Sequence, residues 1–64
     1  MAYVAKAEKN RVKIYKSNGS YVRTIMPGGE VQSAVINGDE VHITLKNGRV
    51  KIYGVNGSYK RTIF

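Results

Sequence analysis

Two stripes of side chains carry the chemistry most open to this chain. Arg11, Lys13 and Tyr15 stand at alternate positions, and so do Arg49, Lys51 and Tyr53. In an extended strand that spacing places all three members of a stripe on one face. Lysine and arginine neutralise phosphates and tyrosine rings stack on bases, the combination with which β-sheet platforms hold single-stranded nucleic acid. Lys16 and Lys60 extend the basic set, with Lys9 and Lys46 close by in the chain. The predicted partner is therefore RNA or DNA, contacted by Arg11, Lys13, Tyr15, Lys16, Arg49, Lys51, Tyr53 and Lys60. The opposing reading is that alternating charges merely keep outer strands soluble and deter edge-to-edge pairing. Under that reading the protein is a structural or protein-interaction component, such as a small assembly protein of a phage or bacterium, with no nucleic-acid role.

Other chemistries find less to work with. His42 is the only histidine, and the four carboxylates, Glu8, Glu30, Asp39 and Glu40, show no ligand or general-base spacing around it. Ser20 and Ser58 each follow glycine in what reads as a tight turn, without a local base to activate a nucleophile. Pro27-Gly28-Gly29 is too short to cradle a phosphate ahead of a helix. The expectation is a non-enzyme with no catalytic residues, no metal site and no cofactor. Cysteine is absent, which removes disulfides and thiolate chemistry and is compatible with a reducing cytosol. Lys6, Glu8 and Lys9 interrupt the first ten residues, and no apolar run approaches membrane-spanning length. A soluble cytoplasmic protein with no membrane partner is predicted.

The two stripes belong to a repeat. Residues 2–26 return, shifted by a constant interval, as residues 40–64, with 27–39 as connector. Between Arg11–Ile25 and Arg49–Ile63, 12 of 15 positions are identical, and only Lys16/Gly54, Ser17/Val55 and Val22/Lys60 differ. A supersecondary unit used twice is implied, within one domain spanning residues 1–64. Asn-Gly pairs at Asn18, Asn37, Asn47 and Asn56 sit between alternating apolar runs, a strong hairpin signal. Seven strands follow: Tyr3 to Ala7, Arg11 to Tyr15, Tyr21 to Met26, Glu30 to Ile36, Glu40 to Leu45, Arg49 to Tyr53 and Tyr59 to Phe64. Alternation puts Val12, Ile14, Val50 and Ile52 opposite the basic stripes. Because Lys60 replaces Val22, that position is read as facing solvent, which turns Tyr21, Ile25, Tyr59 and Ile63 to the packed side and points Arg23 and Arg61 inward. The predicted fold is all-β, an antiparallel meander of about seven strands.

The pattern Asn-Arg-Val-x-Ile-Tyr, Asn-Gly, Tyr-x-Arg-Thr-Ile, Pro-Gly, present here from Asn10 to Gly28, resembles the outer strands of an NHL-type β-propeller blade. Residues 31–64 look like one compact four-stranded blade, and the first copy supplies the last three strands of another. The resemblance implies propeller-like blades that close a ring by homo-oligomerisation, most simply as a trimer. The alternative is a monomeric small barrel or sandwich. Charge is segregated at +5 for residues 1–26, −3 for 27–45 and +5 for 46–64. An acidic connector of that kind is predicted to orient against a neighbour's basic hairpin.

Overall fold

The computed structural model describes residues 3–63; Ala2, where the repeat is read to begin, and Phe64, where it ends, lie outside them. Seven strands form: β1 (Tyr3–Ala7), β2 (Val12–Lys16), β3 (Tyr21–Ile25), β4 (Val31–Asn37), β5 (Glu40–Leu45), β6 (Val50–Gly54) and β7 (Tyr59–Thr62). All pairings are antiparallel, β1-β2-β3 in one sheet and β4-β5-β6-β7 in a second. Two separate sheets fit the meander or small-sandwich alternative. No helix among the described residues is long and apolar enough to cross a membrane.

Three of the turns are built alike, from a residue followed by x-Asn-Gly-x. In Lys16–Ser20, Leu45–Arg49 and Gly54–Ser58 the first N–H donates to the last carbonyl at 2.8 Å, enclosing three residues. Their glycines, Gly19, Gly48 and Gly57, have φ of 93°, 93° and 91°, a left-handed conformation that costs glycine nothing. The β4–β5 turn is tighter: Asn37 pairs with Glu40, leaving Gly38, at φ 65°, and Asp39 as its two central residues. The β1–β2 turn has no glycine. Glu8 N–H donates to the Arg11 carbonyl at 2.8 Å, so only Lys9 and Asn10 lie between them.

That last difference has a large consequence. In the second copy Ile43 stands opposite Lys51 and Val41 opposite Tyr53. The equivalent residues of the first copy, Ala5 and Lys13, do not meet; Ala5 stands opposite Ile14 and Ala7 opposite Val12. The β1–β2 register is offset by one residue at the turn where Asn10 occupies the place of Gly48, and among the described residues no non-glycine residue takes a positive φ. A three-residue loop thus becomes a two-residue one. A slip of one residue sends every side chain of a strand to the other face relative to its neighbour.

The β2–β3 and β6–β7 hairpins themselves are near-copies. Lys13 pairs with Thr24 and Ile14 with Arg23, as Lys51 pairs with Thr62 and Ile52 with Arg61, and the same irregularity follows in each. They nevertheless dock through opposite faces. The core is formed by Val12, Ile14 and Ile25 from the first sheet and Val31, Val41, Ile43 and Leu45 from the second. Val22, Tyr3 and Ala5 pack against it from the first sheet, Ala34, Ile36, Tyr53 and Val55 from the second half of the chain. Ile52 is fully buried but outside this cluster. It lies on the opposite face of the second sheet, between His42 and Arg61 in the ladder.

Several predicted orientations are corrected by this docking and by the bulge. Val22 and Lys60 have no opposite partner, because Tyr15 pairs with Tyr21 and Tyr53 with Tyr59 across the irregularity. The extra residue breaks the alternation within β3 and β7. Tyr21 therefore shares the outer face with Tyr15 and is 58% exposed, while Ile25 turns into the core. Val22 packs on the core rather than facing solvent, and Lys60, on the outward side of its own sheet, is exposed. Ile63 is 50% exposed and Tyr59 56% exposed, not packed. Arg61 is exposed beside Glu40 at 3.7 Å. Arg23 does turn inward, is half-buried, and its Nε has no hydrogen-bond partner among the described residues.

The sheets are tied at their connector. The Val31 N–H donates to the Lys9 carbonyl at 2.8 Å, and Lys51 Nζ donates to the carbonyl of buried Pro27 at 2.8 Å.

Candidate nucleic-acid interface

The face of the first sheet that turns away from the core is a three-strand grid. Lys6, Lys13 and Thr24 form one row across β1, β2 and β3, and Val4, Tyr15 and Tyr21 the next. Tyr15 and Tyr21 meet edge-on, with ring centroids 5.9 Å apart and planes at 70°. The Tyr21 hydroxyl and Thr24 Oγ1 are hydrogen-bonded at 2.7 Å, which fixes the direction of the Tyr21 ring while leaving most of it in solvent. Glu8 lies at the end of the grid, 3.6 Å from Arg11 Nε and 3.7 Å from Lys13 Nζ. Lys6, Lys9 and Lys16 make no ion pair among the described residues. Lys16 projects to the side opposite Tyr15 and is exposed there.

The second stripe is placed differently. Lys51 is half-buried and held on the Pro27 carbonyl, Tyr53 packs against the core, and Arg49 is exposed at the end of its turn. Tyr53 and Tyr59 keep the edge-on arrangement of the first copy, at 5.5 Å and 71°, with the Tyr59 hydroxyl 2.6 Å from Thr62 Oγ1. Lys60 lies 3.9 Å from Glu40, which also faces Arg61 and, at 3.3 Å, His42. Lys46 pairs with Glu30 at 3.6 Å. The carboxylates of Glu30 and Glu40 are thus turned toward bases of their own chain, so the positive charge left uncompensated concentrates on the first copy. The sequence brings the two stripes into view as equals. The structure opens one of them.

Two residues of the open face are missed by sequence reasoning, Lys6 and Tyr21. Lys6 could be placed beside Lys13 only by noticing that Asn10 replaces Gly48, and Tyr21 is hidden by a bulge that simple alternation does not anticipate.

Tyr53 gives this arrangement a pH signature. Burial first, and the nearby Tyr59 second, push its hydroxyl above the ordinary value of 10.0. The unfolded chain then releases this proton before the folded one does. The stabilising contribution is complete below pH 10.0 and is lost as pH rises through the folded value. The urea midpoint is expected to fall on the alkaline side of that pH, and to fall less in Tyr53→Phe. An identical decline in the variant would remove Tyr53 as its cause.

No group of three or more His, Cys, Asp or Glu residues is placed to hold a metal ion among the described residues. A cavity of about 360 Å³ lies between the β4–β5 and β6–β7 turns, lined by Asp39, Gly54, Val55, Asn56, Ser58 and Lys60. It includes all three positions at which Arg49–Ile63 departs from Arg11–Ile25. A Cβ at Gly54 would stand 2.8 Å from Asn56 Oδ1.

The chain matches no family model, no curated protein and no solved structure. The functional reading consequently stands on its own geometry.

Proposed function

We propose that this protein is a non-enzymatic module that binds single-stranded RNA or DNA on the outer face of its first sheet. The observation that carries the reading is the row of Lys6 directly opposite Lys13, beside the exposed Tyr21 ring. Like charges directly opposite in a ladder oppose folding, and Glu8 relieves only the Lys13 side. A phosphate between the two ammonium groups would relieve both. The next row places tyrosine faces where a base attached to that phosphate can stack. Lys9, Arg11 and Lys16 extend the positive field around the grid.

Fluorescence anisotropy with a labelled oligothymidylate tests this reading. Binding is expected at low salt, with log K falling by about 0.7 per decade of salt for each phosphate contacted. Failure to bind at low ionic strength would overturn the proposal and favour a purely structural role.

A further inference from the structure

Four Asn-Gly pairs occur in this chain, at Asn18, Asn37, Asn47 and Asn56. In such a pair the glycine backbone nitrogen can attack the asparagine Cγ, because no side chain on the glycine obstructs the approach. A C–N bond forms, ammonia leaves with the side-chain nitrogen, and water opens the resulting succinimide to aspartate or isoaspartate. No oxidant or reductant takes part. Two freedoms are needed: the glycine nitrogen must give up its proton, and the asparagine amide must rotate onto it.

Three of the four pairs lack both freedoms. The N–H groups of Gly19, Gly48 and Gly57 donate to the carbonyls of Lys16, Leu45 and Gly54 at 2.9, 3.0 and 2.9 Å. The Oδ1 atoms of Asn18, Asn47 and Asn56 accept from the backbone N–H of Ser20, Arg49 and Ser58 at 2.9, 3.0 and 3.1 Å. The β4–β5 turn is built otherwise. Among the described residues neither Gly38 N–H nor the Asn37 amide makes such a bond, Asn37 is exposed, and the space around Gly38 is open.

We propose that Asn37 is a site of spontaneous deamidation, and that the fold shields the other three asparagines. The change alters the hairpin that bears it. Asn37 stands opposite Glu40, so an aspartate there sets two carboxylates face to face in the ladder. Isoaspartate adds a backbone carbon beside a two-residue turn, which displaces the β4–β5 register and the core-facing Val41 and Ile43.

The test is to age the full chain at mildly alkaline pH, in buffer and in denaturant, and to map conversion by mass spectrometry after trypsin digestion. Cleavage after lysine and arginine puts each Asn-Gly pair in its own peptide. In the folded chain Asn37 is expected to convert on the order of tenfold faster than the other three, the factor that one protecting hydrogen bond represents. In denaturant the four rates are expected to converge. Equal rates in the folded chain, or faster conversion at Asn18, Asn47 or Asn56, would overturn the proposal. So would an Asn37 that survives in buffer while converting in denaturant.

Discussion

Ile14→Ala is expected to leave most of the protein unfolded at room temperature, whereas Ile52→Ala, at the same position of the second repeat, is expected to leave it folded. Both side chains are fully buried. Ile14 lies between the sheets, in the same cluster as Val41 and Ile43, where the cavity left by truncation has packed walls on all sides. Large-to-small changes of this kind cost about 2–5 kcal/mol, with the upper values where the surroundings cannot collapse. A core in a chain this short supplies about 3–5 kcal/mol of stability, so the loss is comparable with the whole. Ile52 lies outside that cluster, on the opposite face of the second sheet, flanked by His42 and by the exposed Arg61, long polar side chains at the surface that can shift toward a smaller residue. Its truncation belongs near about 2 kcal/mol. Urea titration followed by circular dichroism gives both values. Equal costs at the two positions would mean that the hairpins dock alike, and the one-residue offset in β1–β2 would be wrong.

The unequal roles of two equivalent isoleucines mark the boundary of what the amino-acid order makes legible. All seven strands are readable, each within a residue or two, because period-two alternation and Asn-Gly turns are local signals. The burial of Val12, Ile14, Val41, Ile43 and Leu45 follows from the same alternation. Which face of each hairpin meets the other sheet does not. That choice rests on a single turn, where Asn10 does not take the left-handed conformation that Gly48 takes at less cost, and the accompanying slip reverses β2 relative to β1. Once the reversal is seen, the divergence at Val22 and Lys60 gains a cause: the valine meets the core and the lysine meets water. Lys51 and Tyr53 pass out of the open site for the same reason. A repeat identical at 12 of 15 positions thus yields two hairpins alike in backbone and opposite in use.

Reversing charge on the open face separates a site from a merely basic protein. In the Lys6→Glu, Lys13→Glu double variant, affinity for oligothymidylate at low salt is expected to fall by an order of magnitude or more. Its salt dependence should become shallower by about 0.7 per contact removed. The matched control is Lys46→Glu with Arg49→Glu, which changes net charge equally but acts on exposed residues of the second copy. A long-range field depends on total charge and would weaken equally in both. A local phosphate site weakens only in the first. Tyr21→Ala supplies the second arm, because stacking is worth about 1–3 kcal/mol per base and does not depend on salt as phosphate contacts do. It should lower affinity at every ionic strength while leaving the salt slope unchanged, and Tyr21→Phe should restore it. The Tyr21 ring is 58% exposed and lies outside the core, so its loss is a test of binding that the fold survives. If the two double variants bind equally, the basic face acts only through its overall charge and the Lys6–Lys13 row is not a site. If Tyr21→Ala binds as the parent does, the ligand is held by its backbone alone, and a duplex or another polyanion fits the face as well as a single strand.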